Sequence, residues 1–504
     1  MKKFGKAALC VLCAAVLLAM GLFLFKHNSP LYQYIGTDNA IFMTIGRGMA
    51  QGKVPYVDLT ENKGPLFFLL MGVPQMIIEG TTGVFILEEI MLLGMCLMIV
   101  LCARWLTGGK PWALCAALGV AAYLSSMNGG NFCEEYDQFF LMMGVTVMVH
   151  VFTAQKKGEK WRSFVMGLAT ASVALIKISD ILGLAMLVLC YIVWVIREKK
   201  GFWKEALRFV AGMAVVAIPV FAYLISVDAV GAMFEDYILN NFVHVAKGKG
   251  YGFMETRLYL LERSYGRTAL KAAGGMIAAV IVCLLLKFGK RDGDEIQTGG
   301  LYTAAVLMAL GNLLVAFVAS SGFYHHLMMG DITNLLTILL ISSAILRRVS
   351  VWKPVRWVQL GAAVLVLCLS VNAVVQSINP EEWVGSESRQ SSRDYQRELL
   401  PELEGYEDSV YSIGIYPEWY WETGLYPAYR YFNIIGFIVD NVGNDQAQAF
   451  EDYLLEGELQ ALVIAGDIEE YRGILTDATI DYIWENYIYY TSDSEDARQL
   501  WFLI

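Results

Sequence analysis

Acidic and basic side chains that can do chemistry recur next to apolar segments at several places in the 504-residue chain. Asp38 stands in Gly36-Thr-Asp-Asn-Ala, heading an amphipathic stretch through Ile41, Phe42, Ile45 and Met49. There it either caps a helix N-terminus or acts as a general base on an acceptor hydroxyl. The same segment continues with Arg47 and then Gly52-Lys-Val-Pro-Tyr-Val-Asp58-Leu-Thr-Glu61-Asn62-Lys63-Gly64-Pro65. A second acidic group, Glu134-Glu135-Tyr136-Asp137, follows Asn128-Gly-Gly-Asn-Phe-Cys and can bind a cation, orient an acceptor or stay solvated. Lys177 and Asp180 read either as a mutual i,i+3 pair at a tight helical hairpin or as a lysine reaching toward a phosphate. His325 and His326 are adjacent, and adjacent residues on a helix diverge by about 100°. Joint ligation of one metal is therefore not the default, whereas one imidazole can donate to a phosphate. Lys247, Lys249, Arg257, Arg263 and Arg267, near Gly248, Gly250 and Gly252, suggest a basic lid over an anionic ligand. Gly248-Lys-Gly-Tyr-Gly is not a P-loop, because it lacks the G-x-x-x-x-G-K-[ST] spacing.

The elements that must position these residues are membrane helices. The chain is 57% hydrophobic and only 17% charged, which places most of it in lipid and excludes an ordinary soluble domain. Runs near the roughly 20 residues needed to cross the hydrocarbon core fall at 6–26, 84–106, 111–128, 138–154, 162–177, 179–196, 207–227, 268–287, 300–319, 330–346 and 356–376. The first reads as a retained anchor, since no A-x-A-like cleavage site follows it. Pro65 to Ile78 is apolar but short and contains Pro74, so a re-entrant or interfacial helix is expected there. Eight of the nine cysteines lie inside apolar runs as small hydrophobes, and only Cys133 falls in a polar stretch. Cys10 and Cys13 form a C-x-x-C with no histidine or second pair nearby, a poor zinc or redox candidate.

Basic residues orient the spans, because cytoplasmic loops retain Lys and Arg. With the N-terminus inside, 21 of the 38 basic residues fall in short cytoplasmic loops. Eleven crossings then carry the C-terminus outside, which predicts residues 1–376 as a transmembrane domain and 377–504 as an extracytoplasmic one. The tail holds 26 Asp or Glu, 6 Arg and no Lys, a net charge of −20. Such acidity makes nucleic acid an unsuitable partner. Ser409 to Ile415 and Ala461 to Ala465 read as short strands and Asp445 to Leu455 as an amphipathic helix. The aromatic run Tyr482, Trp484, Tyr487, Tyr489 and Tyr490 supplies core or rim. The expected fold class is an all-α polytopic membrane protein of about eleven spans with a small C-terminal α/β domain.

In layout the chain resembles the polytopic glycosyltransferases of the GT-C fold that use a polyprenyl-phosphate sugar as donor, among them protein O-mannosyltransferases and aminoarabinose transferases. The residues that carry the resemblance are Asp38, the string Gly52 to Pro65 ending Asn-Lys-Gly-Pro-Leu, Glu134-Glu135-Tyr136, and Tyr324-His325-His326. In the tail, Gly414, Tyr416-Pro417, Tyr426-Pro427 and Arg430-Tyr431-Phe432 are similar to domains appended to bacterial members. The resemblance implies that Asp38 is the catalytic base and that Glu134 or Glu135 forms a second acidic site for acceptor or metal. It also implies that Lys63, Lys177, His325 or His326 lies near the donor phosphate, with Asp58, Glu61 and Arg47 as further candidates. Here the late loop reads His-His-Leu-Met-Met-Gly-Asp331, whereas the family often has His-Tyr followed by a proline-containing helix. The implied activity is inverting sugar transfer at the outer face of the cytoplasmic membrane to an extracytoplasmic acceptor, with a divalent metal as a possible cofactor. A transporter or lipid-sugar flippase is the rival class. The acids cluster in loops rather than at mid-membrane, which favours an enzyme.

Overall fold

A computed structural model of the chain describes residues 14–32, 35–108, 112–127, 129–153, 160–241, 264–288, 298–319, 324–349, 355–376, 378–432, 444–472, 475–491 and 498–504. The basic residues Lys247, Lys249, Arg257 and Arg263, the glycines among them, and Cys10 and Cys13 lie outside the described residues, and of Arg267 only its place in a helix is described.

In chain order the helices are α1 (Ala14–Leu24), α2 (Thr37–Ala50), α3 (Pro65–Ile77), α4 (Thr82–Thr107), α5 (Trp112–Leu124), α6 (Cys133–Thr153), α7 (Trp161–Ile176), α8 (Ile181–Arg197) and α9 (Phe202–Ser226). They continue with α10 (Val230–Met233), α11 (Ser264–Phe288), α12 (Thr298–Ala319), α13 (Met329–Val349) and α14 (Val355–Gln376). After these come α15 (Glu387–Arg397), β1 (Val410–Ile413), α16 (Glu418–Thr423), α17 (Asn444–Leu455), β2 (Ala461–Ala465), α18 (Asp477–Asn486), β3 (Tyr487–Thr491) and β4 (Arg498–Leu503). The chain divides into two compact units, each assembled from separated stretches of sequence: Met1–Ser29, Phe85–Ala222 and Arg257–Ile378 in one, Pro30–Val84, Tyr223–Thr256 and Asn379–Ile504 in the other.

The first unit is a helical bundle, and the chain is a multi-pass membrane protein. Among the described residues six helices are long and apolar enough to cross a membrane by length and composition, and α1, α5, α7 and part of α12 are shorter apolar helices. Helices suit this setting because every backbone polar group is satisfied within the segment. Within the unit α11 lies against α12 and α13, α12 against α8, α6 against α7, and α5 against α13 and α14. Met95, Ile99, Met142, Val145, Leu184, Leu187 and Leu339 fill the core between them. Two glycines set one crossing: a Cβ on Gly167 of α7 would collide with the carbonyl of Phe209, and one on Gly212 of α9 with that of Phe164. Small residues allow this backbone approach where lipid supplies no hydrophobic drive to packing.

In the second unit α2 packs on α3, with the rings of Phe42 and Phe67 edge to face at 4.8 Å. Pro65 opens α3, where its missing N–H costs nothing. The helix is 13 residues long and apolar, as the short segment predicts. The strands form one sheet in the order β1-β2-β4-β3, with β1 and β2 parallel and the other pairs antiparallel. β1 is buried throughout and β2 at Ala461–Ile464, the continuous apolar pattern of strands covered on both faces. The strand and helix expectations for the tail therefore correspond to β1, β2 and α17. Of the aromatic run, Tyr487 is buried and Trp484, Tyr489 and Tyr490 are exposed, so most of it is rim. Arg389, Arg393 and Arg397, spaced i,i+4 along α15, converge on Glu422 of α16: the first two pair with its carboxylate and the third donates to its carbonyl.

Candidate functional site

Asp38 lies in the first turn of α2, where a carboxylate is favoured by the helix dipole. It is not the cap: the N-cap is Gly36, and no side chain caps this end. Thr37 donates its hydroxyl to Glu418 Oε1 at 2.8 Å, which seats the start of α16 against the start of α2. Burial pushes the Glu418 carboxyl above the ordinary range, and the neighbouring Asp38 pushes it further in the same direction.

Other residues of the first long segment have partners within it or in the tail. The guanidinium of Arg47 donates to the carbonyls of Tyr420, Trp421 and Leu425 and to the Tyr426 hydroxyl, and it lies over the Trp421 and Tyr426 rings at 5.1 and 4.8 Å. Through these tail carbonyls and the Tyr426 hydroxyl, Arg47 holds α2 to the tail. Asp58 accepts from Val54 N at 2.6 Å and closes a tight turn. Lys63 donates to Asn62 Oδ1 at 2.7 Å and to Glu61 at 3.4 Å, so Glu61 and Lys63 form a local pair.

Asp236 is the residue of this unit that the sequence did not single out. It follows α10 in a π-helical turn, Phe234–Leu239, and gathers donors from two distant stretches. Thr60 donates to Oδ2 at 2.7 Å, while Tyr431 and Arg430 donate to Oδ1 at 3.0 and 3.3 Å. Arg430 also donates to the Tyr56 carbonyl at 2.9 Å. Burial raises the Asp236 carboxyl, opposed by Arg430 and by the Thr60 and Tyr431 hydroxyls.

In the bundle, α6 begins at Cys133 and not near residue 138. Glu134, Glu135 and Asp137 are therefore helical, and Glu134 and Asp137 share one face. The adjacent acids have different partners. Lys177 donates to Glu134 Oε1 and sits 3.7 Å from Asp180, so it bridges two acids in place of the simple hairpin pair. Glu135 turns back on the loop and accepts from Gly130 N and Phe132 N, both at 3.4 Å. His325 and His326 occupy a 3-10 turn, Tyr324–Leu327, anchored on α6 by Gln138 Nε2 donating to the Met328 carbonyl at 2.6 Å. His325 stacks on Phe132 at 5.2 Å, and the two imidazoles meet edge to face at 4.3 Å. The structure thereby corrects the expectation that adjacent histidines point apart: both rings converge with Glu134, their ligating atoms within 4.8 Å of one another.

Glu88 of α4 is a second residue that the sequence reading passed over. Buried at 4% exposure, it accepts from Asn28 Nδ2 at 3.0 Å and Asn131 N at 2.5 Å, tying the end of α1 to the loop before α6. A glutamate within an apolar run was the available signal.

This architecture is the GT-C fold, that of polytopic membrane glycosyltransferases. ArnT from Cupriavidus metallidurans, in its structure bound to undecaprenyl phosphate, superposes with a TM-score of 0.61 at 12% identity, covering 99% of this chain and 98% of that one. The oligosaccharyltransferase of Archaeoglobus fulgidus in the apo form gives 0.53 at 12% identity, over 97% of this chain and 74% of that one. No protein-family model and no curated protein matches the chain.

Proposed function

We propose that the chain is a glycosyltransferase that moves a sugar from a polyprenyl-phosphate donor to an acceptor at the outer face of the cytoplasmic membrane. The observation that carries this is the likeness to ArnT over nearly the whole of both chains. A lipid-phosphate donor stays in the bilayer, so a polytopic scaffold is the form such an enzyme requires. Phosphate is already a stable leaving group, and catalysis needs little beyond cationic neutralisation and a base.

In the proposed reaction Asp38 takes the proton of the acceptor hydroxyl as its oxygen attacks the anomeric carbon. The bond from that carbon to the phosphate oxygen breaks, the configuration inverts, and polyprenyl phosphate departs. Lys63 and Lys177 are the cations assigned to the donor phosphate, and Glu134 is the second acid. Glu135, bound to loop amides, supports Glu134 by holding the start of α6.

The test uses the full chain in lipid nanodiscs with undecaprenyl-phosphate-linked sugar and host membranes as acceptor source. Release of undecaprenyl phosphate by the wild type and its loss in Asp38→Asn are expected. Donor translocation without cleavage would instead identify a flippase.

A further inference from the structure

We propose that the start of α7, the end of α8 and the start of α9 together bind the headgroup of an anionic phospholipid. This end of the bundle lies away from Lys177, about 24 Å along the 16-residue α7 at 1.5 Å per residue, and the proposal does not rest on sugar transfer. Specific contacts bring the three ends together. Ser163 in the first turn of α7 donates to Glu205 in the first turn of α9, and its hydroxyl meets that of Tyr191 of α8 at 2.8 Å. The Arg162 guanidinium and the Lys200 ammonium both lie over the ring of Trp194, at 5.5 and 5.8 Å. Arg162 is buried and steadied by His150 of α6, whose Nδ1 accepts from its Nε at 3.0 Å.

The assembled end is strongly basic. Residues 160–163 and 197–208 hold seven Lys or Arg and two Glu, and one of those acids, Glu205, is already paired with Arg208. Both α7 and α9 present their positive N-terminal ends here, and no side chain caps α7. The link from α8 to α9 is a fixed turn, with Lys199 and Gly201 in the left-handed region at φ 51° and 77° and Lys200 N donating to the Val195 carbonyl at 3.2 Å. The cations are thus held together, and their mutual repulsion favours a bound anion. A lipid fits better than a free anion because the basic cluster runs on into apolar surface: Ile196 and Leu207 are exposed, and Trp203 is 82% exposed. Tryptophan beside lysine is the composition of a helix end at headgroup level, and basic clusters there attract anionic lipid. In the orientation expected from the basic residues, this end faces the anionic inner leaflet.

The experiment is native mass spectrometry of the delipidated full-length protein in detergent, titrated with cardiolipin or with phosphatidylcholine of the same acyl chains. Cardiolipin should bind about tenfold or more tightly than phosphatidylcholine, and added salt should weaken it. The variant K199N/K200S/K204S, in which asparagine tolerates the left-handed position, should lose about tenfold in cardiolipin affinity. K287S/R347S, which removes basic charge at the ends of α11 and α13, should keep that affinity within about twofold. The wild-type comparison needs no variant, so a folding failure cannot mask the answer. Equal binding of the two lipids, undiminished cardiolipin binding by a monodisperse K199N/K200S/K204S protein, an equal loss in K287S/R347S, or complete displacement of cardiolipin by excess inorganic phosphate would each overturn the proposal.

Discussion

Lys177 bridges two acids from different elements, donating to Glu134 of α6 and lying 3.7 Å from Asp180 in the turn before α8. The lysine is 13% exposed and the acids 1% and 0%, so each charge depends on the others. Lys177→Met should destabilise the bundle by about 3–5 kcal/mol, the cost of stranding a buried charge. The double variant Lys177→Met/Glu134→Gln should recover much of the loss. Thermal unfolding in detergent, followed by size-exclusion chromatography, reads both.

Asp38→Asn should leave folding intact, because Asp38 provides no cap and asparagine is isosteric. Its turnover should fall by about 10²–10⁴-fold, the usual contribution of a general base. Donor consumption at saturating substrate measures it, and undiminished turnover would remove Asp38 from the mechanism.

Asp236 collects a guanidinium and two hydroxyls from stretches far apart in sequence. Asp236→Ala should cost about 3 kcal/mol by leaving Arg430 without its carboxylate. The effect should appear as faster limited proteolysis around Thr60 and Arg430, with the bundle's melting transition unchanged.

Arg47→Lys keeps the charge but loses the planar fork. Four acceptors and two aromatic faces surround that guanidinium, and an ammonium cannot serve them together. A loss of about 1.5–3 kcal/mol is expected, the range for hydrogen bonds to a charged group. Chemical denaturation monitored by tryptophan fluorescence of Trp419 and Trp421 should detect it.

Glu418 predicts a pH dependence. Its folded-state pKa lies above the ordinary value, chiefly from burial. Its stabilising contribution is therefore complete below the unfolded pKa and is lost as pH rises through the folded one. Glu418→Gln keeps an acceptor for Thr37 and removes the charge. Its melting temperature should exceed that of the wild type near about pH 8, with the difference closing near about pH 4. A constant difference across that range would count against burial as the cause.

Local sequence sufficed for much of the architecture. Apolar runs long enough to span lipid located the helices of the bundle, because transfer into hydrocarbon depends on composition more than on neighbours. The acidic, lysine-free tail and its strands at Val410–Ile413 and Ala461–Ala465 were legible for a similar reason. Pro74 and the brevity of its segment marked α3 as a short helix.

Tertiary structure alone decided which polar groups meet. Arg430 reaches the Tyr56 carbonyl across 374 positions of sequence, and Thr37 reaches Glu418 across 381. No spacing rule encodes such pairs, since the chain between them can close in many ways. The adjacent acids Glu134 and Glu135 look equivalent in sequence, yet one helical step, about 100°, turns the first toward Lys177 and the second toward the loop amides. His325 and His326 were expected to diverge, but stacking on Phe132 and the anchor from Gln138 bring both rings to Glu134. The residues able to do chemistry were thus visible from composition and position, while their partners depended on packing between segments far apart in the chain.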